Sequence, residues 1–391
     1  MAAEGQQQTV RAQDVAVMGI TEIVRHIPII IASYRRLVAT IKREKPDVAI
    51  LIDFPDVNFR LAKHLHAAGI PVIWFVSPQL WAWKRDRLRW VQQRVSRMMV
   101  IFPFEETFYR NRGVVAEFVG HPLAEVPLPT ISREDYAAKH HLDPAKTWIA
   151  LLPGSRWKEI RANLPTLHEL AVSDLIATQS AAITFDGDHL ELPTTLYTHY
   201  EFLLPVASTI NTTDLQKYIA DLDRESLRYF TESGQPTTNN PRLTLVPDAR
   251  EALHHARASV VASGTATIQA AVIGNPFIVV YRVSPLTFAL ARKLVQYPHE
   301  FPEDFQALRA DSPAPPIAMV NLIAQRRLIP ELLQDTFTAA NVAQTLAPLL
   351  ADTPERVTQI AGLAEVRHSL ISPTGTSISR LANAVLAALG R

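Results

Sequence analysis

The chain has 391 residues, 48% of them apolar, which is enough to build two domains with sizeable cores. Lys and Arg number 39 against 38 Asp and Glu, so no overall basic field favours nucleic-acid binding. Cysteine is absent, which excludes disulfides, thiolate catalysis and thiolate zinc sites and is consistent with a reducing compartment.

The N-terminal sequence MAAEGQQQTVRAQD (1–14) lacks a basic region followed by an apolar one, so it does not resemble a secretory signal. Apolar runs such as 27–33 and 277–281 fall far short of the ~20 residues needed to span a bilayer. We therefore expect a cytoplasmic protein that does not cross a membrane.

The segment 18–47 predicts an amphipathic helix with Pro28 breaking it at the front. Two interpretations remain open. The segment can be a crossover helix packed on a sheet, or its early turns can enter a lipid interface. The lipid-facing side chains would be Ile20, Ile23, Val24 and Ile27.

Short apolar runs alternate with segments of helical period along the chain. They are VAILIDF (48–54), PVIWFVS (71–77), MMVIFPF (98–104), WIALLPG (148–154), ASVVASG (258–264) and PFIVVYR (276–282). Their near-continuous hydrophobicity is typical of parallel strands covered by helices on both faces. The sequence therefore predicts an α/β fold with ligands at the carboxyl ends of its strands.

The first of these strands delivers Asp53 to its carboxyl end, and the next turn contains Asp56 and Asn58. A carboxylate shielded from water there can have its pKa raised towards the working pH, as a general base requires. Asp and Asn also cap helices routinely. Catalytic and structural roles therefore both remain open for these residues.

The segment VSPQLWAWKRDRLRWVQQRVSR (76–97) interleaves tryptophans with basic residues. Aromatic rings stack on sugars or lie at headgroup depth, and cations bind phosphates. Single-stranded nucleic acid is a weaker interpretation, because no wider basic surface accompanies the segment. Tryptophans that anchor an ordinary surface helix are the structural alternative. The tryptophans concerned are Trp81, Trp83 and Trp90.

A proline-dotted stretch, 120–135, predicts a linker between two sets of strands. We expect an N-terminal domain at 1–145, a second domain at 146–350 and helices in 351–391. The last helical segment, 373–389, is expected to pack back onto the first domain.

His121 lies at the start of the predicted linker, after a short strand-like stretch. It is interpreted either as a ligand contact or as a structural histidine. Because no HExxH motif occurs, the sequence does not indicate a metal site.

Gly154, Ser155 and Arg156 follow a strand in LLPGSRWKEI and precede a predicted helix. Such a turn presents backbone N–H groups and a guanidinium to a diphosphate. It is too short for a Walker loop and is weak evidence when taken alone.

Residues 180–244 are rich in Thr, Asn and Asp and contain one convincing strand, EFLLPVAS (201–208). We interpret the remainder as an insertion made of loop.

Ser263, Gly264 and Thr265 stand between a strand and a helix in VVASGTATIQAA. The free N–H groups at that helix start fit a diphosphate, although an ordinary capped helix has the same pattern. Because Asp53 belongs to the other predicted domain, we expect a cleft with an acceptor carboxylate on one domain and nucleotide contacts on the other.

Eight strings resemble, in order, the sequence blocks of lipid-A-disaccharide synthases. They are IDFPDVNFRLAKHL, VSPQLWAWKRDR, FPFEETFYRNRGV, FVGHPLAE, LLPGSRWKEI, ASGTATIQAA, YRVSPLTFALARKLV and VNLIAQRRLIPELLQ. The resemblance runs from about Met18 to Leu350 outside the insertion. Eight blocks in the family's order are far more specific than any one of them.

The resemblance implies a GT-B fold, in which two Rossmann-like domains face a cleft. It implies inverting transfer of diacylglucosamine from UDP-diacylglucosamine to diacylglucosamine 1-phosphate, with release of UDP and no cofactor or metal. The expected partners are these substrates and the cytoplasmic face of the inner membrane, without nucleic acid. A homodimer is left open.

By motif match, Asp53 is the implied general base, with Asp56 as the competing assignment and Arg156 as a further catalytic group. The implied substrate-binding residues are Asn58, His121, Gly154, Ser155, Ser263, Gly264, Thr265, Gln269, Arg282 and Asn321. Gln269 departs from the family, which usually has glutamate where related enzymes contact the nucleotide ribose.

A second departure is at the start, where the family has a strand and a glycine-rich acidic loop similar to GEASGD. This predicts a first domain that lacks its first βα unit. The alternatives are a non-catalytic degenerate homologue at the membrane surface, or another UDP-sugar enzyme such as an N-acetylglucosaminyltransferase or epimerase. The WAWKRDR and VNLIAQRR blocks argue against the latter.

Overall fold

The computed structural model describes residues 7–10, 20–173, 175–176, 199–233, 243–311 and 315–390. The chain divides into two compact units. The first unit comprises Met1–His121 and Ser372–Arg391, and the second unit comprises Pro122–Ile371. Each unit has its own parallel sheet, as the apolar runs predicted.

The first unit contains a four-stranded parallel sheet in the order β1-β2-β3-β4. Its strands are β1 Ala49–Ile52, β2 Val72–Phe75, β3 Arg97–Val100 and β4 Ala116–Phe118. Its helices are α1 Ile20–Glu44, α2 Pro55–Ala67, α3 Leu88–Arg94, α4 Pro103–Arg110 and, from the C-terminal segment, α16 Ser377–Ala388. Every residue of β2 is buried, which explains its uninterrupted apolar sequence.

Helix α1 continues through Pro28, so the break expected there is wrong. A proline removes one backbone hydrogen bond and bends a helix, but the turns on both sides continue it. Later turns of α1 pack on α2, where the Tyr34 hydroxyl lies 3.1 Å from Nε2 of His64. Within the described ranges no helix is long and apolar enough to cross a membrane.

The lipid-facing hypothesis for α1 concerns side chains outside those that the structure describes. They are Ile20, Ile23, Val24 and Ile27. It stays a prediction.

The second unit contains a six-stranded parallel sheet in the order β10-β9-β8-β5-β6-β7. Its strands are β5 Thr147–Leu152, β6 Tyr200–Pro205, β7 Leu243–Val246, β8 Ala258–Ala262, β9 Phe277–Tyr281 and β10 Glu331–Leu333. Its first helices are α5 Pro122–Glu125, α6 Arg133–His140, α7 Trp157–Val172, α8 Thr212–Ser233, α9 Ala249–His255 and α10 Thr265–Ile273. The others are α11 Pro285–Leu294, α12 Glu303–Asp311, α13 Met319–Ala324, α14 Ala339–Leu350 and α15 Pro354–Ser369.

The division between the units lies at His121 and Pro122, whereas we expected it near residue 145. The proline-dotted stretch is tied to the second unit by arginines. Arg133 donates to the carbonyl oxygen of Lys146 at 2.7 Å, and its guanidinium lies 3.7 Å from the ring centroid of Trp148. These contacts explain why α5 and α6 belong to the second unit.

The predicted insertion at 180–244 is more ordered than expected. Strand β6 confirms the strand predicted at 201–208, whereas β7 and the 22-residue helix α8 lie where we expected loop. Leu215 and Leu222 of α8 are buried in the core, two turns apart on one helix face. Residues 177–198 and 234–242 of this segment lie outside the described ranges.

The C-terminal helix α16 packs with the first unit, which confirms the expected return. Its Arg380 forms an ion pair with Glu117 at 2.6 Å and donates to the hydroxyl of Ser372 at 2.8 Å. The returning segment passes so close to Gly120 that a Cβ there would lie 2.8 Å from the Ser372 nitrogen. Only glycine fits this crossing.

Candidate active site

A cavity of about 640 Å3 lies in the second unit at the carboxyl ends of β5 to β8. The strand order reverses between β5 and β8, because β6 and β7 follow on one side and β9 and β10 on the other. Open α/β sheets bind ligands at such a reversal. We call this cavity the switch-point pocket. Of the predicted residues, it brings together Gly154, Ser155, Arg156, Ser263, Gly264, Thr265 and Gln269.

Glycines form two turns of the switch-point pocket. Gly154 has φ +126°, and a Cβ there would lie 2.5 Å from Cβ of Glu159. The same Glu159 accepts a hydrogen bond from the backbone N–H of Ser155 at 2.9 Å, which fixes the turn. Gly264 has φ +150° and immediately precedes α10. Both turns use backbone conformations that other residues rarely adopt.

The start of α10 lines the switch-point pocket with Thr265 and Ala266. The first N–H groups of a helix have no intrahelical acceptor, and the helix dipole makes this end positive. The neighbouring helix α9 differs, because its own Asp248 accepts hydrogen bonds from Arg250 and Glu251. The start of α10 is therefore the better position for the phosphates of a ligand.

Arg156 and Gln269 add side chains to the same pocket. Arg156 precedes α7, is largely exposed, and lies 3.5 Å from Glu159. Gln269 follows Thr265 by one helical turn, so its amide lies deeper along α10. A diphosphate at the start of α10 with a ribose near Gln269 is chemically consistent with this arrangement.

Arg282 and Asn321 do not line the switch-point pocket. Arg282 donates to Thr166 Oγ1 at 3.0 Å and to the carbonyl of Phe337. Asn321 is fully buried, donates to Glu331 and accepts from two backbone N–H groups. Both side chains hold the second unit together, and sequence reasoning could not separate this role from ligand binding.

Asp53 lies at the carboxyl end of β1, as predicted. It and Phe54 have φ values of 45° and 42°, which makes a sharp left-handed turn into α2. Asn58 holds this turn by donating to the carbonyl oxygens of Ile52 at 3.1 Å and Asp53 at 2.6 Å. Asn58 is therefore a positioning residue. In the part of the chain that the structure describes, the exposed carboxylate of Asp53 has no hydrogen bond or ion pair.

Asp56 is engaged by an arginine instead. Arg87 Nη1 lies 2.7 Å from its carboxylate, and this hydrogen bond holds the pKa of Asp56 below its usual value. A carboxylate with a lowered pKa is a poor proton acceptor near neutral pH. The carboxylate of Asp53, unpaired within the described ranges, is therefore a better base than that of Asp56. Asp53 is exposed, however, so the shielding from water expected from the sequence is not provided by the residues that the structure describes.

His121 follows β4, at the opposite edge of the sheet from Asp53. The three strand spacings between them amount to roughly 14 Å. His121 is 6% exposed, and burial lowers its pKa to about 4, so it is neutral at physiological pH. Its ring packs 5.5 Å from that of Phe102. His121 and Asp53 thus do not form one cluster.

The three tryptophans of the basic segment have different environments. Trp81 is buried and its indole N–H donates to Glu105 at 3.1 Å. Trp83 is exposed, with the Lys84 ammonium 4.1 Å from its ring centroid. Trp90 is half-buried and lines a second cavity. Trp81 therefore anchors the core, as the structural alternative predicted, whereas Trp83 and Trp90 are accessible to ligands.

Glu105 was missed by sequence reasoning. It is 1% exposed, and it also accepts hydrogen bonds from the Ser77 hydroxyl at 2.7 Å and the Phe102 N–H at 3.2 Å. Burial raises its pKa to about 7 although these donors oppose the rise. Its only signal is a glutamate in the first turn of α4, where acidic residues are common.

Two units that each contain a parallel α/β sheet, with a pocket at a switch point of the second sheet, place the chain in the GT-B fold class. The fold is similar to that of the S. aureus MnaA–UDP co-structure. That similarity has a TM-score of 0.51 and 12% identity, covering 96% of this chain and 81% of that chain. The expected fold class is confirmed.

The family model for lipid-A-disaccharide synthetase matches residues 1–186 and 214–374. A lipid-A-disaccharide synthase of Acidobacterium capsulatum is 52% identical, covering 97% of this chain and 85% of that protein. One of Koribacter versatilis is 42% identical, covering 100% and 89%. The chain belongs to the lipid-A-disaccharide synthase family and is a hexosyltransferase of lipid A biosynthesis.

These comparisons support the main prediction and not its alternatives, the degenerate homologue and another UDP-sugar enzyme. The match begins at residue 1 and ends at 374, so it is wider than the resemblance from Met18 to Leu350. Its gap, 187–213, falls inside the expected insertion.

Proposed function

We propose that the switch-point pocket binds the UDP part of UDP-diacylglucosamine. The observation that carries this proposal is the meeting of two glycine turns and the start of α10 at the strand reversal. The diphosphate accepts hydrogen bonds from the turn at Gly264 and Thr265 and pairs with Arg156. The ribose hydroxyls bond to Gln269.

Asp53 activates the acceptor, diacylglucosamine 1-phosphate. Its carboxylate takes the proton of the attacking primary hydroxyl while that oxygen bonds to the anomeric carbon of the donor. The bond from that carbon to the diphosphate breaks, and UDP leaves with the electron pair. Because attack occurs opposite the leaving group, the anomeric configuration inverts.

Transfer proceeds without a divalent metal. As the glycosidic bond breaks, negative charge grows on the diphosphate, and preorganised N–H groups and Arg156 stabilise it. The start of α10 contributes a fixed partial positive charge that needs no reorganisation. These groups supply the role that a cation has in metal-dependent transferases.

The enzyme acts at the cytoplasmic face of the inner membrane, which it contacts through α11. No residue of α11 is buried, and its three leucines recur at every fourth position. Leu286, Leu290 and Leu294 are 80%, 53% and 49% exposed. Arg292 and Lys293 follow in its last turn and complement anionic headgroups. Sequence reasoning missed this helix.

The test is transfer by the purified protein from UDP-diacylglucosamine to diacylglucosamine 1-phosphate in EDTA, with the disaccharide detected by mass spectrometry. We expect undiminished turnover in EDTA. Strict dependence on added Mg2+ or Mn2+ would contradict the proposed metal-free stabilisation.

Flotation with vesicles of phosphatidylcholine and phosphatidylglycerol tests the membrane contact. The variant Leu286→Ser/Leu290→Ser should lose vesicle binding and keep its UDP affinity. The matched control is Val357→Ser/Ile360→Ser, which removes exposed apolar side chains from α15. Equal vesicle binding by both variants would exclude α11 as the contact.

A further inference from the structure

The first unit contains a second cavity, of about 430 Å3, between α1, α2 and residues 87–94. The proposed chemistry of Asp53 does not use it. Its lining is Tyr34, Asp56, Phe59, Arg60, Lys63, His64, Arg87, Trp90 and Arg94. We call it the basic pocket. Its volume lies in the range of small-molecule sites, ~300–1,000 Å3.

Two arginines of the basic pocket are held in place by the protein. Arg87 pairs with Asp56, and its guanidinium lies 5.7 Å from the ring centroids of both Phe59 and Trp90. Arg94 donates to the carbonyl of Phe59 at 3.3 Å and lies 5.4 Å from the Trp90 centroid. Because aromatic rings and hydrogen bonds fix both guanidinium groups, their donors are preorganised for a ligand.

The other two cations form neither an ion pair nor a hydrogen bond with the described residues. Arg60 and Lys63 lie on one face of α2, three residues apart, and are exposed. The pocket lining contains four Lys and Arg side chains and one carboxylate, that of Asp56. These groups sum to three net positive charges, without His64 in the count. Crowded like charges repel each other, and a bound anion relieves that repulsion.

The surroundings of these charges are apolar and aromatic. Phe59, Trp90 and Tyr34 form much of the wall. Ile31, one turn before Tyr34 on α1, is 44% exposed and thus offers apolar surface beside the pocket. A ligand that complements both the cations and the apolar wall has a phosphate group and an acyl chain.

We infer that the basic pocket binds the phosphate group of an acylated molecule. Arginine forks and a lysine ammonium match the oxygens of a phosphate, and the aromatic wall and Ile31 receive the adjoining apolar part. Two molecules carry this chemistry: the acceptor sugar 1-phosphate and a membrane phospholipid. The inference rests on the proposed function only in taking the acceptor as one source.

The test variant is Arg60→Gln/Lys63→Gln, which removes the two unpaired cations. The matched control is Arg36→Gln/Lys42→Gln, which removes one Arg and one Lys from exposed positions of α1 outside the pocket lining. Circular dichroism melting should show both variants folded, since neither substitution removes a buried contact.

The first arm measures KM values in detergent. If the acceptor is the source of the phosphate, the test variant raises the acceptor KM roughly tenfold to a hundredfold, by loss of one or two charge-assisted contacts. The donor KM stays unchanged, and the control variant behaves as wild type.

The second arm measures binding to phosphatidylcholine vesicles with and without phosphatidic acid. If a phospholipid is the source, the test variant loses the added binding that phosphatidic acid gives, while its acceptor KM in detergent stays at the wild-type value. A test variant indistinguishable from the control in both arms overturns the inference.

Binding of soluble glucosamine 1-phosphate, followed by isothermal titration, keeps this outcome separate from the proposed function. Absence of glycosyl transfer by the wild type with weaker titration by the test variant would reject the proposed function alone. Normal transfer, together with identical titration and identical vesicle binding by the test and control variants, would reject the pocket alone.

Discussion

The switch-point pocket and the basic pocket present positive charge by different means. The former uses backbone N–H groups at a helix start and glycine turns at Gly154 and Gly264. The latter uses side-chain cations of α2 and of residues 87–94, and contacts with Asp56 and Trp90 fix two of them. A main-chain site is set by local conformation and leaves a glycine signature, whereas a side-chain site depends on how helices pack.

This difference predicts that polar side chains elsewhere in the second unit support stability rather than ligand binding. Asn321→Ala removes a fully buried amide that makes four hydrogen bonds. We expect unfolding free energy to fall by about 4 kcal/mol. Urea denaturation measures the loss, with Asn341→Ala as control, which removes a half-buried amide that makes one hydrogen bond. Native stability together with weaker UDP binding would show that Asn321 belongs to the site.

The raised pKa of Glu105 predicts that the stability of the first unit depends on pH. Its pKa is raised to about 7 from 4.5, so between these values the folded state keeps a proton that the unfolded state has lost. The contribution of Glu105 to the free energy of unfolding is therefore fully present below pH 4.5 and decreases as pH rises towards 7. The full decrease is about 3 kcal/mol.

The measurement is the difference in unfolding free energy between wild type and Glu105→Gln from pH 4.5 to 8. The neutral amide cannot titrate, so the difference isolates Glu105 from His121 and other groups. Parallel pH curves for the two proteins would contradict a raised pKa.

Gly264→Ala tests the main-chain nature of the switch-point pocket. No atom lies within 4 Å of the added Cβ, so its cost is backbone strain at φ +150°. Strain of about 2 kcal/mol should weaken UDP binding about 30-fold. Gly274→Ala, at the other end of α10 with φ +90°, should lower stability and leave UDP affinity unchanged. If Gly264→Ala bound UDP as tightly as wild type, the turn at Gly264 would not contact the diphosphate.

The smallest expected effect is at Gln269, where a side chain supplements the main-chain site. Gln269→Glu should tighten UDP binding about fivefold, because a carboxylate accepts a stronger hydrogen bond from a ribose hydroxyl. Gln344→Glu makes the same charge change on an exposed part of α14. Weaker UDP binding by Gln269→Glu would place the diphosphate, not the ribose, beside this residue.

Elements that contain a long apolar run could be predicted from the sequence. All seven predicted strands form, the six apolar runs and the strand at 201–208, and the glycine turns at Gly154 and Gly264 meet in one pocket. The strands β7 and β10 were missed because they are only four and three residues long, and α8 was missed because the Thr, Asn and Asp content of 180–244 outweighed its apolar residues at helical spacing. Whether the side chains of these elements are buried depends on how they pack against the rest of the sheet.

Side-chain roles were harder to predict than turns. Asn321 and Arg282 are polar residues in family-like blocks, yet their hydrogen bonds are internal. Conversely, Glu105 became notable only when folding buried it beside Ser77 and Trp81. The basic pocket was invisible because its members come from three helices separated along the chain.

The most direct test of the central assignment is the transfer rate of Asp53→Asn with its UDP affinity measured on the same preparation. We predict that kcat falls roughly 10²- to 10⁴-fold, as expected for loss of a general base, while the UDP dissociation constant stays at the wild-type value. Asp47→Asn, a neighbouring exposed carboxylate, should match wild type in both. Full turnover by Asp53→Asn would contradict the assignment of the base.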